Sequence, residues 1–482
     1  MVVCLEIAVI ASCFDRSVLA VIPALLAQAA EQSEAALDSV VQSPEPLQLA
    51  SFPVQLAAIG LVLVISIVVD RFALRIGVPG ALALFGAGVA IQPMSEATFD
   101  HKDFESLHVI ALCLLLFYSG VKLCRRYFRR QDYLIPSLLL SVLGVLMVIV
   151  IGAGVMYVAL GSIEARFNTS AQPMLIAMAM AYCIAPLDWG SFSFLVKRVH
   201  RFSDHVSGVL EFETAFSAAM TLIIGDALFE FFTNQGTSTL LSRAVNIFVG
   251  SISEGIVIGA VLGYLLSLAI KRFAVDRSQS IDLAIGFVMI GYGFNSWIGQ
   301  GGLVCSLVMG LVVSVMLSNE ESKDEKEILS VQLESINIAC ESLIFFMAGL
   351  SVDLSQGFLP SLIAGIVLVS VVWVLRPIAV SLFFRGSSFL NAGEQRFLSI
   401  WAPKGAISMA LAITIPDLIE KSGILYEKVI NPVSEAFVID AVCFAVVITM
   451  LLKSLILPSL HKWLVKEFSD PSLEETVSSQ ST

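Results

Sequence analysis

The sequence carries little charge for its length. Charged residues make up 14% of the 482 residues, hydrophobic residues make up 57%, and the mean hydropathy is +0.88. Soluble domains contain about 25% charged residues, so this composition excludes an ordinary soluble domain and indicates a membrane protein. The net charge of −12 is spread over loops and tails, and the chain has no basic tract of the kind that binds nucleic acid.

The motifs of several enzyme classes are also absent. The chain has no HExxH, no GxSxG and no Walker phosphate-binding loop, so no ATP-driven or hydrolytic chemistry is indicated and no cofactor is expected. The eight cysteines are scattered without a CxxC pair and fall mostly inside apolar runs. They are interpreted as small buried hydrophobic residues and not as a disulfide framework or a metal site.

Long apolar runs are what the sequence does contain, and they begin at residue 52. A helix needs about 17–25 residues to cross a bilayer, so the runs predict about thirteen transmembrane helices. The predicted helices cover residues 52–69, 78–91, 107–122, 134–160, 171–196, 206–232, 244–270, 283–298, 301–317, 336–352, 359–384, 397–415 and 436–457. The predicted fold is an all-α polytopic membrane domain over residues 52–457, followed by a tail over 458–482.

The start of the chain allows two interpretations. Arg16 precedes an apolar run over 17–26, and Ala27-Gln28-Ala29 resembles a small-residue cleavage site. Residues 1–29 are therefore predicted to be either a signal peptide with a long leader or an uncleaved extra helix. Residues 30–51 are acidic and polar, and we expect them outside the membrane.

Two neighbouring spans carry carboxylates at membrane depth. Asp188 lies between Pro186 and Gly190, where a helix is expected to break; a break is tolerated only where it lines a cavity or an ion site. Glu213 and Ser217 are four residues apart and share a helix face. Because ionisable groups in a bilayer are costly, Asp188, Glu213, Ser217 and Glu211 are the predicted ion-coupling residues. Asp188 and Glu213 would be the ligands of a transported Na⁺ or K⁺.

A second interruption, Pro403-Lys404-Gly405, falls inside a later span. Corresponding interruptions in two halves of a chain are typical of transporters built from inverted repeats. Lys404 is predicted to be the counter-charge of Glu213, although a static pair that only holds two helices together would look the same in sequence.

Three further charged residues lie within spans. Arg376 could snorkel to an interface or cap the carbonyl of a broken helix. Glu341 and Glu254 are predicted to be packing or gating acids.

These motifs resemble those of the monovalent cation:proton antiporters, which include the sodium/hydrogen exchangers. Residues 114–120 (LLLFYSG) are similar to the family's early Leu-Phe-x-x-Gly stretch, and Ala185-Pro186-Leu187-Asp188 is similar to its Thr-Asp-Pro region. Residues 341–350, 376–380 and 404–411 look like later family patterns. The resemblance implies an inverted-repeat antiporter fold with broken helices, a homodimer in the lipid bilayer, and exchange of Na⁺ or K⁺ for H⁺.

The chain departs from the family at the ion site. Where the family has Glu-Ser-x-x-Asn-Asp, this chain keeps Glu213 but has Ser217-Ala218 in place of Asn-Asp. The principal cation-binding carboxylate that the resemblance implies is therefore missing. Ion coupling must move onto Asp188, Glu213 or Glu211, or be lost. Three functions stay open: cation–proton exchange, transport of another solute on the same fold, and a non-transporting membrane sensor or regulatory subunit.

Basic residues predict the orientation of the chain. They cluster in loops after the odd-numbered spans, at 122–130, 197–201, 271–277 and 385–396, and again at 462–466. The positive-inside rule makes these loops and the C-terminus cytoplasmic, in a cell (inner) membrane, and places residues 31–49 outside.

This orientation can be tested with one engineered thiol. A cysteine at position 130 (Arg130→Cys) should react with an impermeant maleimide only after the membrane is permeabilised. Labelling of that thiol from outside intact cells would invert the whole assignment.

Overall fold

The computed structural model is built from helices throughout the part of the chain that it describes. Described residues are five positions between 60 and 69 and the segments 79–95, 101–123, 131–167, 173–188, 204–233, 240–273, 277–298, 301–318, 323–354, 358–385, 390–402, 404–421 and 432–468. The predicted leader over 1–29 and the polar segment over 30–51 lie outside them.

The helices are numbered here in chain order. They are α1 Gly80–Ser95, α2 His101–Lys122, α3 Gln131–Leu139, α4 Val145–Phe167, α5 Pro173–Ile184, α6 Asp204–Thr233, α7 Leu240–Phe273, α8 Arg277–Ile298, α9 Gly302–Met316, α10 Lys323–Leu350, α11 Phe358–Phe383, α12 Ala392–Ile400, α13 Ala406–Lys421 and α14 Pro432–Phe468. A π-helical turn over Leu140–Gly144 joins α3 to α4. Helix α14 continues into the predicted tail.

The predicted all-α membrane fold is confirmed. Among the described residues, six helical stretches are long and apolar enough to cross a bilayer. They are Leu134–Gly161, His205–Ile224, Ser253–Phe273, Ile328–Leu350, Phe358–Phe383 and Ala436–Ser454. Shorter apolar helices include Met174–Ile184 and Ala406–Ile415, which are short because each ends or begins at one of the two predicted interruptions. The number of thirteen spans stays a prediction.

The described helices pack in two groups. In one group α2 and α7 both pack against α9, and α10 packs against α1 and α2. In the other, α4 packs against α5 and α11, while α14 packs against α11 and α13. Helix α6, which carries Glu213, contacts members of both groups.

The crossing of α2 and α9 depends on glycine. A Cβ atom at Gly120 would overlap the backbone carbonyl of Leu307, and one at Gly310 would overlap the carbonyl of Phe117. Only a hydrogen atom fits at either position, so the two helices touch backbone to backbone. Small residues allow this close approach between membrane helices, where dispersion contacts replace the hydrophobic effect as the driving force.

The π-helical turn divides a long apolar stretch. It inserts one residue relative to an α-helix, and such turns occur frequently at functional sites. Leu140, Ser141 and Gly144 of the turn are buried, and the turn contacts α6 and α11. These two helices carry the buried ion pair described below.

We expect Gly310→Ala to lower the stability of the protein. The added methyl group must displace the backbone of α2, and overpacking of this kind costs about 1–3 kcal/mol. Thermal unfolding in detergent measures the effect. The matched control is Gly286→Ala on α8, where a Cβ atom meets nothing within 4 Å. Equal stability of the two variants would show that the α2–α9 crossing is not limited by backbone contact.

Candidate ion-binding site

Two helices end in the interior of the protein. Helix α5 stops at Ile184, and residues 185–188 are not helical. Pro186 explains this, because the residue before a proline disfavours the α conformation. Helix α12 stops at Ile400, and the helix resumes only at Ala406. Pro403, the residue expected to cause the second break, lies outside the described residues.

The two non-helical segments bind each other. The Lys404 ammonium donates hydrogen bonds to the carbonyl oxygens of Ala185 at 2.8 Å and Pro186 at 2.9 Å. In the other direction, the Ala406 backbone N–H donates to Oδ2 of Asp188 at 3.2 Å. The two charged side chains, Lys404 and Asp188, are 2% and 1% exposed, so both are fully inside the protein.

The signs of these charges match the ends of the helices. A helix leaves unpaired carbonyls at its C-terminus and unpaired N–H groups at its N-terminus, with partial charges of corresponding sign. Lys404 lies at the C-terminal end of α5, and Asp188 lies at the N-terminal end of α13. Each buried charge therefore satisfies the free backbone groups of the opposite helix, which makes a break in the membrane interior tolerable.

Glu213 forms its ion pair with Arg376. The guanidinium Nη1 donates to Oε1 of the carboxylate, and Nη2 donates to Oε2 at 2.7 Å, which gives a bidentate pair. The predicted pairing of Glu213 with Lys404 is therefore corrected. Helix α11 presents Arg376 to the Glu213 face of α6, while Lys404 binds the carbonyls that follow α5. A bidentate fork suits Arg better than the point charge of Lys.

Arg376 also fulfils one of its two predicted roles. Its Nε donates to the carbonyl oxygen of Leu398 at 3.0 Å, in the last turn of α12 before the break. The side chain is 8% exposed, so it is not snorkelling to an interface. One guanidinium thus connects the acidic helix α6 to the broken helix pair.

Ser217 lies one turn after Glu213 and holds the unwound segment. Its Oγ accepts a hydrogen bond from the backbone N–H of Leu187 at 3.1 Å. The prediction that Glu213 and Ser217 share a helix face is consistent with this arrangement, since both line the same cavity. The next residue, Ala218, is completely buried and has no oxygen to offer.

A small cavity lies among these groups. Its volume is about 30 Å³, enough for about two water molecules. Its polar lining residues are Glu213, Ser217, Arg376 and Lys404, and the other residues that line it are apolar. The π-helical turn contributes Leu140 and Gly144 to the lining.

The other predicted residues lie apart from this cavity. Glu211 is half-buried on the same helix as Glu213 but is not among the lining residues. Glu341 on α10 and Glu254 on α7 are also half-buried and do not line it. Asp188 is not a lining residue either, but it follows Leu187, which lines the cavity, and its carboxylate binds the Ala406 N–H two residues after Lys404. The structure thus brings Asp188 beside the group formed by Glu213, Ser217, Lys404 and Arg376.

Within the last predicted span, two buried charged residues were not identified from the sequence. Lys453 on α14 places its ammonium 5.6 Å from the ring centroid of Trp401, with no hydrogen-bond partner among the described residues. Asp440, on the same helix, accepts a hydrogen bond from the backbone N–H of Asp353 at 3.1 Å. Both lie inside the apolar run over 436–457, so a search of every span for ionisable residues would have found them.

The profile of the family described as "Sodium/hydrogen exchanger, transmembrane" matches residues 59–463. The chain belongs to this family. The resemblance found in the motifs is thereby confirmed, and the family and fold are those of secondary transporters and not of enzymes. The protein is an integral membrane protein.

Individual relatives support the same fold. The Na(+)/H(+) antiporter NhaH of Halobacillus dabanensis is 28% identical over 183 residues, which cover 36% of this chain and 43% of that protein. The chain thus matches less than half the length of this curated relative. The sodium proton antiporter MjNhaP1 of Methanocaldococcus jannaschii, in its structure at pH 8, superposes with a TM-score of 0.70. That alignment has 18% identity and covers 86% of this chain and 99% of the other.

A second structure of MjNhaP1, from electron microscopy, superposes with a TM-score of 0.68 at 17% identity and the same coverage. At these identities the two superpositions establish the fold alone.

The corrected pairing makes a direct prediction. Arg376→Met leaves the Glu213 carboxylate buried without its partner, at a cost of about 3–5 kcal/mol. Adding Glu213→Gln should restore much of the lost stability, because the unpaired charge is then removed. Thermal unfolding of the single and double variants in detergent measures the coupling free energy between Glu213 and Arg376. The control is Lys404→Met with and without Glu213→Gln, where little recovery is expected. If Glu213→Gln restored the stability of Lys404→Met and not that of Arg376→Met, Lys404 would be the partner of Glu213, as the sequence predicts.

Proposed function

We propose that the protein exchanges a monovalent cation, Na⁺ or K⁺, for H⁺ across a membrane, and that Asp188 is the carboxylate for which the cation and the proton compete. The observation that carries the proposal is the meeting of two non-helical segments that each bear a buried charge of opposite sign. Broken helices at the bilayer midplane are the usual sites of ion coupling in secondary transporters. Membership of the exchanger family supports the same reaction.

Asp188 has the surroundings that a transient cation site requires. Backbone carbonyls at a broken helix can complete the oxygen shell of a cation beside a carboxylate. The Ala185 and Pro186 carbonyls lie within three residues of Asp188 and hold the Lys404 ammonium. A monovalent cation that takes over these oxygens replaces one positive charge with another. Lys404 acts in this scheme as the internal counter-charge that occupies the oxygens when the cargo has left.

We assign Glu213 and Ser217 to supporting the site. Glu213 is already neutralised by Arg376, so a cation could bind there only if the pair opened. Ser217 fixes the backbone at Leu187, directly before Asp188. Both also line the cavity, where the Ser217 hydroxyl can receive a cation on its way to Asp188, and Glu213 can do so once its pair with Arg376 opens. Glu211 is a second carboxylate on the same helix, outside the cavity lining.

The size of the cavity favours an inorganic ion over a larger solute. A cavity of about 30 Å³ holds about two water molecules, whereas organic ligands occupy pockets of roughly 300–1,000 Å³. The charged lining fits the same conclusion. Exchange of Na⁺ or K⁺ is therefore preferred to transport of another solute on the same fold.

One observation favours a different function. Ala218 is buried at the position where the family resemblance implies the principal cation-binding carboxylate. A protein that had lost its exchange site in this way could serve as a non-transporting sensor or regulatory subunit. A homodimer, a location in the cell (inner) membrane and a cytoplasmic C-terminus belong to the proposal in either case.

The decisive experiment measures proton flux in everted membrane vesicles. Addition of Na⁺ or K⁺ should dissipate an imposed proton gradient in vesicles that contain the wild-type protein, because each cation that is transported is exchanged for H⁺. Asp188→Asn should abolish this dissipation, because an amide can neither carry the proton nor neutralise the cation, while the protein still inserts. Asp282→Asn, which changes an exposed residue of α8, is the matched control and should behave like wild type.

The other outcomes are equally informative. Normal exchange by Asp188→Asn would assign the coupling site to Glu213 or Glu211. The variant Glu211→Gln would then distinguish the two, because it removes only the Glu211 carboxylate. Absence of exchange by the wild type with Na⁺, K⁺ and Li⁺ at every pH would refute the antiporter assignment and favour the sensor.

A further inference from the structure

A wide groove lies between the C-terminal end of α7 and α8, and it shares no lining residue with the cavity of the ion site. Its volume is about 1010 Å³. Its apolar lining residues are Leu265, Leu268, Ala269, Phe273 and Phe287, and its polar lining residues are Lys271 and Arg272. We call this the α7–α8 groove.

The apolar wall is open to the surroundings of the protein. Leu265 is 44% exposed, Leu268 is 42% exposed and Phe273 is 69% exposed. They belong to the membrane span Ser253–Phe273. Only 33% of the most apolar 18-residue stretch of this span is buried inside the protein. Side chains of this kind at the surface of a membrane helix contact hydrocarbon, so the groove opens towards lipid acyl chains.

The two cations mark the depth of the groove. Lys271 and Arg272 lie in the last turn of α7, where the span ends. Basic residues at the end of a span lie at the level of the lipid headgroups. The positive-inside rule assigns this end to the cytoplasmic side, where anionic lipids are enriched.

The arrangement of the two cations favours a bound phosphate. Lys271 Nζ donates to the carbonyl oxygen of Met316, the last residue of α9, at 3.2 Å, which holds the ammonium beside the groove. Arg272 is exposed, and no hydrogen bond or ion pair joins it to another described residue. Its planar guanidinium is therefore available to bind a phosphate through two parallel hydrogen bonds, the bidentate geometry that Arg prefers.

We propose that the α7–α8 groove binds one anionic phospholipid, with the phosphate on Lys271 and Arg272 and the acyl chains along the apolar wall. A free phosphate would leave the apolar wall unused, and a zwitterionic lipid would not balance two cations. A second copy of the chain on this face would bury both cations, and no acidic residue is among the described residues that line the groove.

The test is thermal unfolding of the purified protein in detergent with added lipid. Phosphatidylglycerol should stabilise the wild type at concentrations where phosphatidylcholine and inorganic phosphate have no effect. The variant Lys271→Gln/Arg272→Gln keeps hydrogen-bond donors but loses both charges. It should require roughly thirtyfold more phosphatidylglycerol for the same shift, given the usual contribution of a basic residue at an anionic surface. The control Arg385→Gln/Arg396→Gln removes two exposed charges elsewhere and should respond like wild type.

Three results would overturn the proposal. An unchanged lipid response of the Lys271→Gln/Arg272→Gln variant would place the lipid elsewhere. A stabilisation reproduced by inorganic phosphate would indicate a free-anion site. A change from dimer to monomer in that variant, without any lipid effect, would indicate that a second copy covers the groove. The readout does not depend on transport, so it stands apart from the exchange assay.

Discussion

The structure depends on the contact between two interrupted helices. Each interruption exposes backbone groups inside a membrane protein, where unsatisfied groups cost several kcal/mol. The Lys404 ammonium takes the carbonyls after α5, and the Asp188 carboxylate takes the first N–H of α13. The two charges that satisfy the backbone groups at the breaks are therefore also the charges available for ion exchange. Stability and function share one set of atoms, and neither charge can be removed without exposing the other helix end.

The ion pair of Glu213 and Arg376 supports this contact from the side. Arg376 binds a carboxylate on α6 and a carbonyl in the last turn of α12. Ser217, on the same face of α6, holds the backbone of Leu187. Helix α6 thus fixes both interrupted helices. Because α6 also contacts helices of the other packing group, it connects the site with the remainder of the described structure.

The sequence predicts the local features of the site better than its pairings. Pro186 and Pro403-Lys404-Gly405 predict where helices stop, because proline and glycine act on the backbone directly. The spacing of Glu213 and Ser217 predicts a shared face for the same reason. The partner of Glu213 could not be predicted, because Arg376 lies 163 residues away and the choice depends on how three helices are rotated. The π-helical turn Leu140–Gly144 has no sequence signature and was also not predicted.

The glycines of the α2–α9 crossing have a consequence for mutational tolerance. At Gly120 and Gly310 any side chain meets a backbone carbonyl, which cannot change rotamer to make room. A substitution map of the protein should therefore show two intolerant regions of opposite character. One is the polar site, where the charge and the hydrogen-bonding groups of the residue are restricted. The other is this crossing, which has no chemistry at all and accepts a single residue type for reasons of volume alone.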